Sequence, residues 1–291
     1  MNAMPSQAAQ RSSRVAAIQM VSTPEVEINL AAAGRLVQQA AAEGAQLAAL
    51  PEYFCLLGRH ETDKIKVAEK DAAEPGGGGP IQDFLAETAR RNKVWLVGGT
   101  VPLLSGDAAR VRSACLVFDA TGNRVARYDK IHLFSFQKGA ENYDETRTMQ
   151  PGETPVIVES PFGRFGLSVC YDVRFPELYR SRLYPRLYSS SKPIDMWFVP
   201  SAFTSTTGAA HWEILLRARA IENLCYVIAP AQGGSHPNGR RTHGHTMIVG
   251  PWGEVLAEQA EGEAVVIAEI DPRRIQEVRG SLPALDNCRI P

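Results

Sequence analysis

"VAAIQMVSTPEVEINLAAAGRLVQQAAAEGAQLAALPE", residues 15–52, sets the fold class. The apolar run 15–21 reads as a buried strand, the Ala-rich stretch 28–45 as a helix closed by Gly44, and "QLAALPE" as a second short strand. Strand, helix and strand in close succession are the unit of a layered α/β protein. Pro51 stops the second strand and leaves Glu52 at its C-terminal end, the edge at which layered α/β folds assemble sites.

The rest of the chain continues the pattern. Residues 53–79 form a long connection ending in "EPGGGGP", and Pro80 opens a helix through "IQDFLAETARRN". The four glycines lack the Gly-Lys-Ser/Thr that would hold phosphate and magnesium, so they read as a flexible joint. Three strands follow, "VWLVGGTV", "VRSACLVFD" and "RVARYDK", the last ending at Lys130. After a charge-rich loop come strands near 155–159 and 165–170, and the second closes on Cys170. A helix starting at Pro176 is interrupted by Pro185. "DMWFVPS" is a strand, "GAAHWEILLRARAIENL" an amphipathic helix, and "CYVIAPA", "HTMIVG" and "EAVVIAEI" are strands. No repeat and no hydrophilic linker divides the chain. The pattern predicts one domain, 14–291, a mixed-sheet sandwich with outer helices, behind a frayed segment 1–13.

Composition narrows the function. A chain of 291 residues with 44% hydrophobic and 22% charged residues can bury a large core. A formal net charge of -1 leaves no basic excess for phosphate backbones, which argues against nucleic acid and for a small-molecule ligand. No stretch approaches the roughly 18 apolar residues of a spanning helix, and no signal-like segment opens the chain, so no membrane and a cytoplasmic location are expected. The five cysteines are odd in number, scattered and never spaced as metal or redox pairs, which fits reduced thiols. His243 and His245 lie two apart and could share a metal, but no third ligand stands near them, so no metal is expected. Residues 232–243, rich in glycine and charge, read as a surface loop or as a lid over a pocket.

Glu52, Lys130 and Cys170 each fall where an apolar strand ends. A cysteine attacks as its thiolate, and with an ordinary pKa near 8.5 it needs a base or a cation. None of the six histidines carries a pairing signature. A buried glutamate, its pKa raised towards the working range, can take the thiol proton and return it to a leaving amine, while a lysine balances charge and holds an oxyanion. Such a set suits acyl transfer from an amide or a nitrile.

"LPEYF", "RYDKIHLF", "CYDVRFPELYR" and "PSAFTSTTGAAHWEILLRARAIEN" occur in this order, and together they resemble the nitrilase superfamily of carbon-nitrogen hydrolases. The resemblance runs from about residue 15 to the C-terminus. It implies a four-layer α-β-β-α sandwich whose subunits pair into homodimers or larger homo-oligomers, with no cofactor. It places the catalytic triad on Glu52, Lys130 and Cys170 and a supporting glutamate on Glu145. Tyr171 would supply an oxyanion N–H, Arg174 a carboxylate clamp, and Phe203, Thr204 and Tyr53 the pocket, with Phe54 beside them. The implied activity is hydrolysis of a terminal primary amide on a small carboxylate-bearing substrate through a cysteine thioester, releasing ammonia. The C-terminal half is most similar to the deaminated glutathione amidase branch. The alternatives are an omega-amidase acting on 2-oxo acid amides such as alpha-ketoglutaramate, a nitrilase, a transferase passing the acyl group to an amine, or a non-catalytic scaffold. Segment 181–194 departs from the family pattern through its polarity and its two prolines, which puts the nearby dimer contact in question.

Overall fold

A computed structural model describes residues 12–139, 141–180, 193–287 and 289. In chain order its elements are β1 (Ser13–Gln19), α1 (Val26–Ala42), β2 (Leu47–Leu50), α2 (Asp63–Lys66), α3 (Pro80–Asn92), β3 (Trp95–Gly98), β4 (Val101–Leu104), β5 (Val111–Phe118), β6 (Arg124–Asp129), β7 (Ser135–Lys138), β8 (Glu141–Asp144), β9 (Ile157–Ser160), β10 (Gly163–Leu167), α4 (Pro176–Arg180), β11 (Met196–Phe198), α5 (Ser205–Asn223), β12 (Tyr226–Ala229), β13 (Gly233–Ser235), β14 (Arg241–His243), β15 (Thr246–Val249), β16 (Val255–Gln259), β17 (Ala264–Ile270) and α6 (Pro272–Ser281). Strands β1–β6 and β17 form one mixed sheet; β9–β12, β15 and β16 form a second.

The alternation along β1 shows why four layers form. Val15 and Ala17 join a core shared with Phe165, Leu167 and Ile228 of the second sheet, whereas Ala16 and Ile18 pack with Leu36, Val37 and Leu85 of α1 and α3. Side chains two apart in a strand share a face, so each face of the sheet has its own apolar partner. On the second sheet's outer side Trp197 packs on Tyr179 of α4, ring centroids 4.5 Å apart, in a cluster that also holds Trp212 and Leu216 of α5. The α-β-β-α sandwich read from the sequence is the observed architecture.

Element boundaries shift by a few residues, and some readings change. "VWLVGGTV" is two strands laid end to end along β5, the register moving by one residue between them. Gly99 makes the step at φ +55°, where a Cβ would stand 2.1 Å from the Pro51 carbonyl. That close approach fixes the backbone next to Glu52, and the Thr100 hydroxyl accepts from the Tyr53 N–H at 2.9 Å.

The glycine run is not a joint. The Glu69 carboxylate accepts from the Ile81 and Gln82 N–H groups at 2.6 and 3.1 Å and so caps α3, and a Cβ on Gly79 would meet it at 2.4 Å. Residues 233–243 are not a mobile loop but the paired hairpin β13–β14. Hairpin β7–β8 replaces part of the charge-rich loop expected after Lys130. His243 and His245 stack ring on ring at 4.3 Å, and His245 pairs with Glu258. Residues 1–11 and the atypical stretch 181–192 lie outside the described residues. Among the described residues no helix is long and apolar enough to cross a membrane.

Candidate active site

Pro51 ends β2, and the chain turns so that the Glu52 side chain is buried between the two sheets, 1% exposed. One Glu52 oxygen accepts from Lys130 Nζ at 2.8 Å and the other from the Ala202 N–H at 3.0 Å. Lys130 follows β6 and donates also to Glu145, at 2.8 and 3.1 Å. Glu145 opens a 3₁₀ turn after β8 and accepts further from the Phe134 N–H and the Tyr53 hydroxyl, both at 2.7 Å. Tyr53 itself sits at φ +57°, a strained turn that swings its ring towards Glu145.

Strand β10 ends at Leu167, so Cys170 does not close a strand as expected. It opens a short 3₁₀ turn at φ +48°. Its N–H is tied to the Pro200 carbonyl at 2.9 Å. Fully buried Asp172 holds the turn from the other side. It accepts from the Val169 N–H (2.8 Å), the Tyr128 hydroxyl (2.7 Å) and the His132 N–H (3.0 Å), and His132 Nδ1 lies 2.7 Å away. The same carboxylate therefore fixes the cysteine turn to the end of the strand that delivers Lys130. Tyr128 and Asp172 were not singled out in the sequence. An acid two residues past the cysteine could have been read as an anchor for its turn, but nothing in the sequence paired it with a tyrosine 44 positions upstream.

Burial raises the Glu52 carboxyl above its ordinary range, against the opposing charge of Lys130 and a contribution from the Cys170 thiol. For Glu145 burial acts in the same direction, but the Lys130 charge, its hydrogen bonds and the Phe134 N–H outweigh it, and the net displacement is downward. The Lys130 ammonium is held well above its usual range because the two carboxylates overcome its desolvation. The Cys170 thiol is pushed well up by burial and by the Glu52 charge, with Lys130 opposing. At rest Cys170 is a neutral thiol beside a carboxylate. Burial alone pushes Cys115 up to about 12, and Cys55 and Cys225 reach the same value. Proton affinity does not single out Cys170; its neighbours do.

A cleft of about 320 Å³ opens over the thiol. Glu52, Glu145, Cys170, Tyr53, Tyr171, Arg174, Phe203 and Thr204 all line it, and Lys130 stands behind the two carboxylates. The Arg174 guanidinium lies 5.6 Å from the Tyr171 ring centroid and 5.3 Å from that of Phe203, with His211 Nδ1 at 3.2 Å. Thr204 caps α5, accepting from the Thr207 N–H at 3.3 Å. Phe54 is fully buried in the core under α1 and α3 and does not reach the cleft. Phe134, Ala202, Thr207 and Arg240 line it without having been picked out from the sequence. Their only sequence signal is proximity to a motif, and for Arg240 that signal is a hairpin not recognised as one.

A buried carboxylate, an ammonium shared with a second carboxylate, and a thiol thus meet at one cleft of an α-β-β-α sandwich. The chain belongs to the carbon-nitrogen hydrolase family, whose model matches residues 14–280. It is 43% identical over 276 residues to a deaminated glutathione amidase of Synechocystis sp., covering 94% of this chain and 96% of that one. It is also 36% identical over 266 residues to the chloroplastic omega-amidase of Arabidopsis thaliana, covering 91% of this chain and 69% of the relative. Among solved structures, Nit3 of Saccharomyces cerevisiae, a member of branch 10 of the nitrilase superfamily, superposes with a TM-score of 0.84 at 30% identity, covering 98% of this chain and 99% of that one. The chain is an amidohydrolase of this superfamily.

Proposed function

We propose that the protein hydrolyses an amide of a small 2-oxo dicarboxylate through a thioester on Cys170, with deaminated glutathione as the substrate. The observation that carries this is the convergence of the Cys170 thiol and Glu52, with Lys130 bonded behind Glu52, at a cleft that also bears the Arg174 guanidinium. Glu52 takes the thiol proton as sulfur attacks the amide carbon. Lys130, which at rest donates to Glu52 and to both oxygens of Glu145, turns one of these hydrogens to the oxyanion, and the Tyr171 N–H donates to it as well. As the C–N bond breaks, Glu52 gives its proton to the leaving nitrogen. Glu52 then draws a proton from water, which attacks the thioester; sulfur leaves and regains that proton. Glu145 stays ionised and holds the ammonium in place.

Deaminated glutathione contains no primary amide, so its leaving group is the amine of a dipeptide. Alpha-ketoglutaramate, the substrate of the second reading, releases ammonia. The similarity to an omega-amidase favours keeping that reading. In both, a carboxylate lies near the scissile carbonyl, and the stacked, planar fork of Arg174 suits it. A cytoplasmic setting fits the free thiols of Cys55, Cys115, Cys170 and Cys225. Self-association fits the exposed Ile214, Ile221 and Trp252 on α5 and the β15–β16 turn, and light scattering checks it.

The test is product analysis with wild-type protein and Cys170→Ala. Dipeptide release from deaminated glutathione and a mass shift on Cys170 matching the 2-oxo acyl group support the proposal. Undiminished turnover by Cys170→Ala overturns it.

A further inference from the structure

Arg240 lies in the connection of hairpin β13–β14 and lines the same cleft as Cys170 and Arg174. The arm that carries it is anchored along its length. His236 places Nδ1 2.9 Å from the Ser22 carbonyl and Nε2 2.7 Å from the Thr242 hydroxyl. Asn238 Nδ2 donates to the Leu57 and Gly58 carbonyls at 3.1 and 2.8 Å, and its Oδ1 accepts from the Arg240 N–H at 3.0 Å. The Arg240 carbonyl accepts from the His236 N–H at 2.8 Å, and the His243 N–H reaches the Phe203 carbonyl at 2.9 Å. A position held by this many bonds presents its side chain at a fixed place.

Among the described residues that side chain makes one long ion pair and no hydrogen bond. Its guanidinium lies 5.1 Å from the Tyr143 ring centroid. The carboxylate of Glu61 stands 3.8 Å away, beyond hydrogen-bonding distance, and is engaged by Lys64 at 2.7 Å. The cleft thus has two guanidiniums on two walls. Arg174 is flanked by the Tyr171 and Phe203 rings that line the cleft, and Arg240 enters it from the hairpin connection, backed by Tyr143 and held through Asn238 to the Leu57 and Gly58 carbonyls.

We infer that Arg240 is a specificity-determining residue that binds a carboxylate carried by the leaving group, so that the site favours amides whose amine half is itself an anion, an amino acid or a short peptide. The inference rests on the proposed role of Arg174 as clamp for the acyl-side carboxylate. With that group on Arg174, the second fork is left for the other half of the substrate. A one-carboxylate amide leaves it only the long Glu61 contact, and a charge-assisted bond made only by the longer substrate is the discriminating term.

The test compares kcat/KM for deaminated glutathione and for the same molecule with its glycine carboxylate converted to a carboxamide. Wild-type protein is expected to prefer the carboxylate by about 10- to 100-fold, chiefly through KM, as loss of one charge-assisted hydrogen bond gives. Arg240→Gln should bring the two substrates within about threefold, and Arg240→Lys should keep part of the preference. Thermal melting identifies any variant that fails to fold, and the lysine variant, which keeps the charge, then decides. A preference unchanged in both variants, or absent in wild type, overturns the role of Arg240. Wild-type protein that cleaves neither amide overturns deaminated glutathione as the substrate and this inference with it.

Discussion

Glu52 and Glu145 share one ammonium, that of Lys130, at 2.8 Å each, yet their proton affinities are displaced in opposite directions. Desolvation dominates at Glu52, which besides Lys130 accepts one backbone N–H. At Glu145 the lysine contacts, the Tyr53 hydroxyl and the Phe134 N–H together outweigh it. Two carboxylates on one cation thereby differ in proton affinity: one holds its proton more tightly than an ordinary carboxyl, and the other less.

This division sets the pH behaviour. Glu52 must be ionised to receive the thiol proton, so the acid limb of kcat/KM is expected above the ordinary carboxylate range. Stability separates the two residues. A carboxyl whose folded pKa is raised costs stability once pH exceeds its unfolded value, whereas one whose folded pKa is lowered contributes stability above its unfolded value and loses it as pH falls through the folded one. At neutral pH Glu52→Gln is therefore expected to melt no lower than wild type while losing at least 10³-fold in kcat/KM. Glu145→Gln should be destabilised by about 1–3 kcal/mol. Thermal denaturation at pH 7 with parallel kinetics checks both; a Glu52→Gln protein markedly less stable than Glu145→Gln contradicts the assignment.

Tyr53 holds Glu145 through its hydroxyl. Tyr53→Phe keeps the ring in the cleft and removes the 2.7 Å bond, leaving Glu145 with Lys130 and the Phe134 N–H. The expected loss is about tenfold in kcat, the scale of one hydrogen bond of roughly 1.4 kcal/mol. A loss confined to KM would instead assign Tyr53 to substrate contact.

Much of this arrangement was legible in the sequence because apolar runs end at Glu52 and Lys130 and just before Cys170, and alternation along β1 encodes two buried faces. Hairpin β13–β14 was not, since its strands are three residues each and consist of glycine and polar residues, with no period to detect. The Glu69 cap was hidden for a different reason: its partners, the N–H groups of Ile81 and Gln82, are backbone atoms 12 and 13 positions away. The anchoring of the Cys170 turn by Asp172 and Tyr128 is likewise a contact between layers, and local pattern carries no information about it.

Cys170 occupies the left-handed region at φ +48°, where a side chain with a Cβ costs about 1–2 kcal/mol relative to glycine. Cys170→Ala retains that cost and Cys170→Gly removes it. Both are expected to be inactive, with the glycine variant more stable than the alanine variant by about 1 kcal/mol in chemical denaturation. Equal stability would mean that the turn relaxes once sulfur is gone.

Arg174 is four residues beyond Cys170, and its guanidinium is flanked by the Tyr171 and Phe203 rings and by His211 Nδ1. Among the described residues no ion pair to Arg174 is found, so the fork is oriented by two aromatic faces and the His211 ring while its charge is left for an incoming anion. Arg174→Gln is expected to raise KM for 2-oxo acid amides by about 10- to 100-fold, with kcat within about threefold, because the carboxylate is bound alike in ground and transition states. Arg174→Lys should recover little of this, since an ammonium neither stacks between two rings nor binds a carboxylate with two parallel bonds. Removing the substrate carboxylate as its methyl ester supplies the control. The ester should be a poor substrate for wild type, and Arg174→Gln should lose no more on it. If Arg174→Gln instead lowers kcat on acid and ester alike, the guanidinium acts on the cysteine turn and not on the substrate.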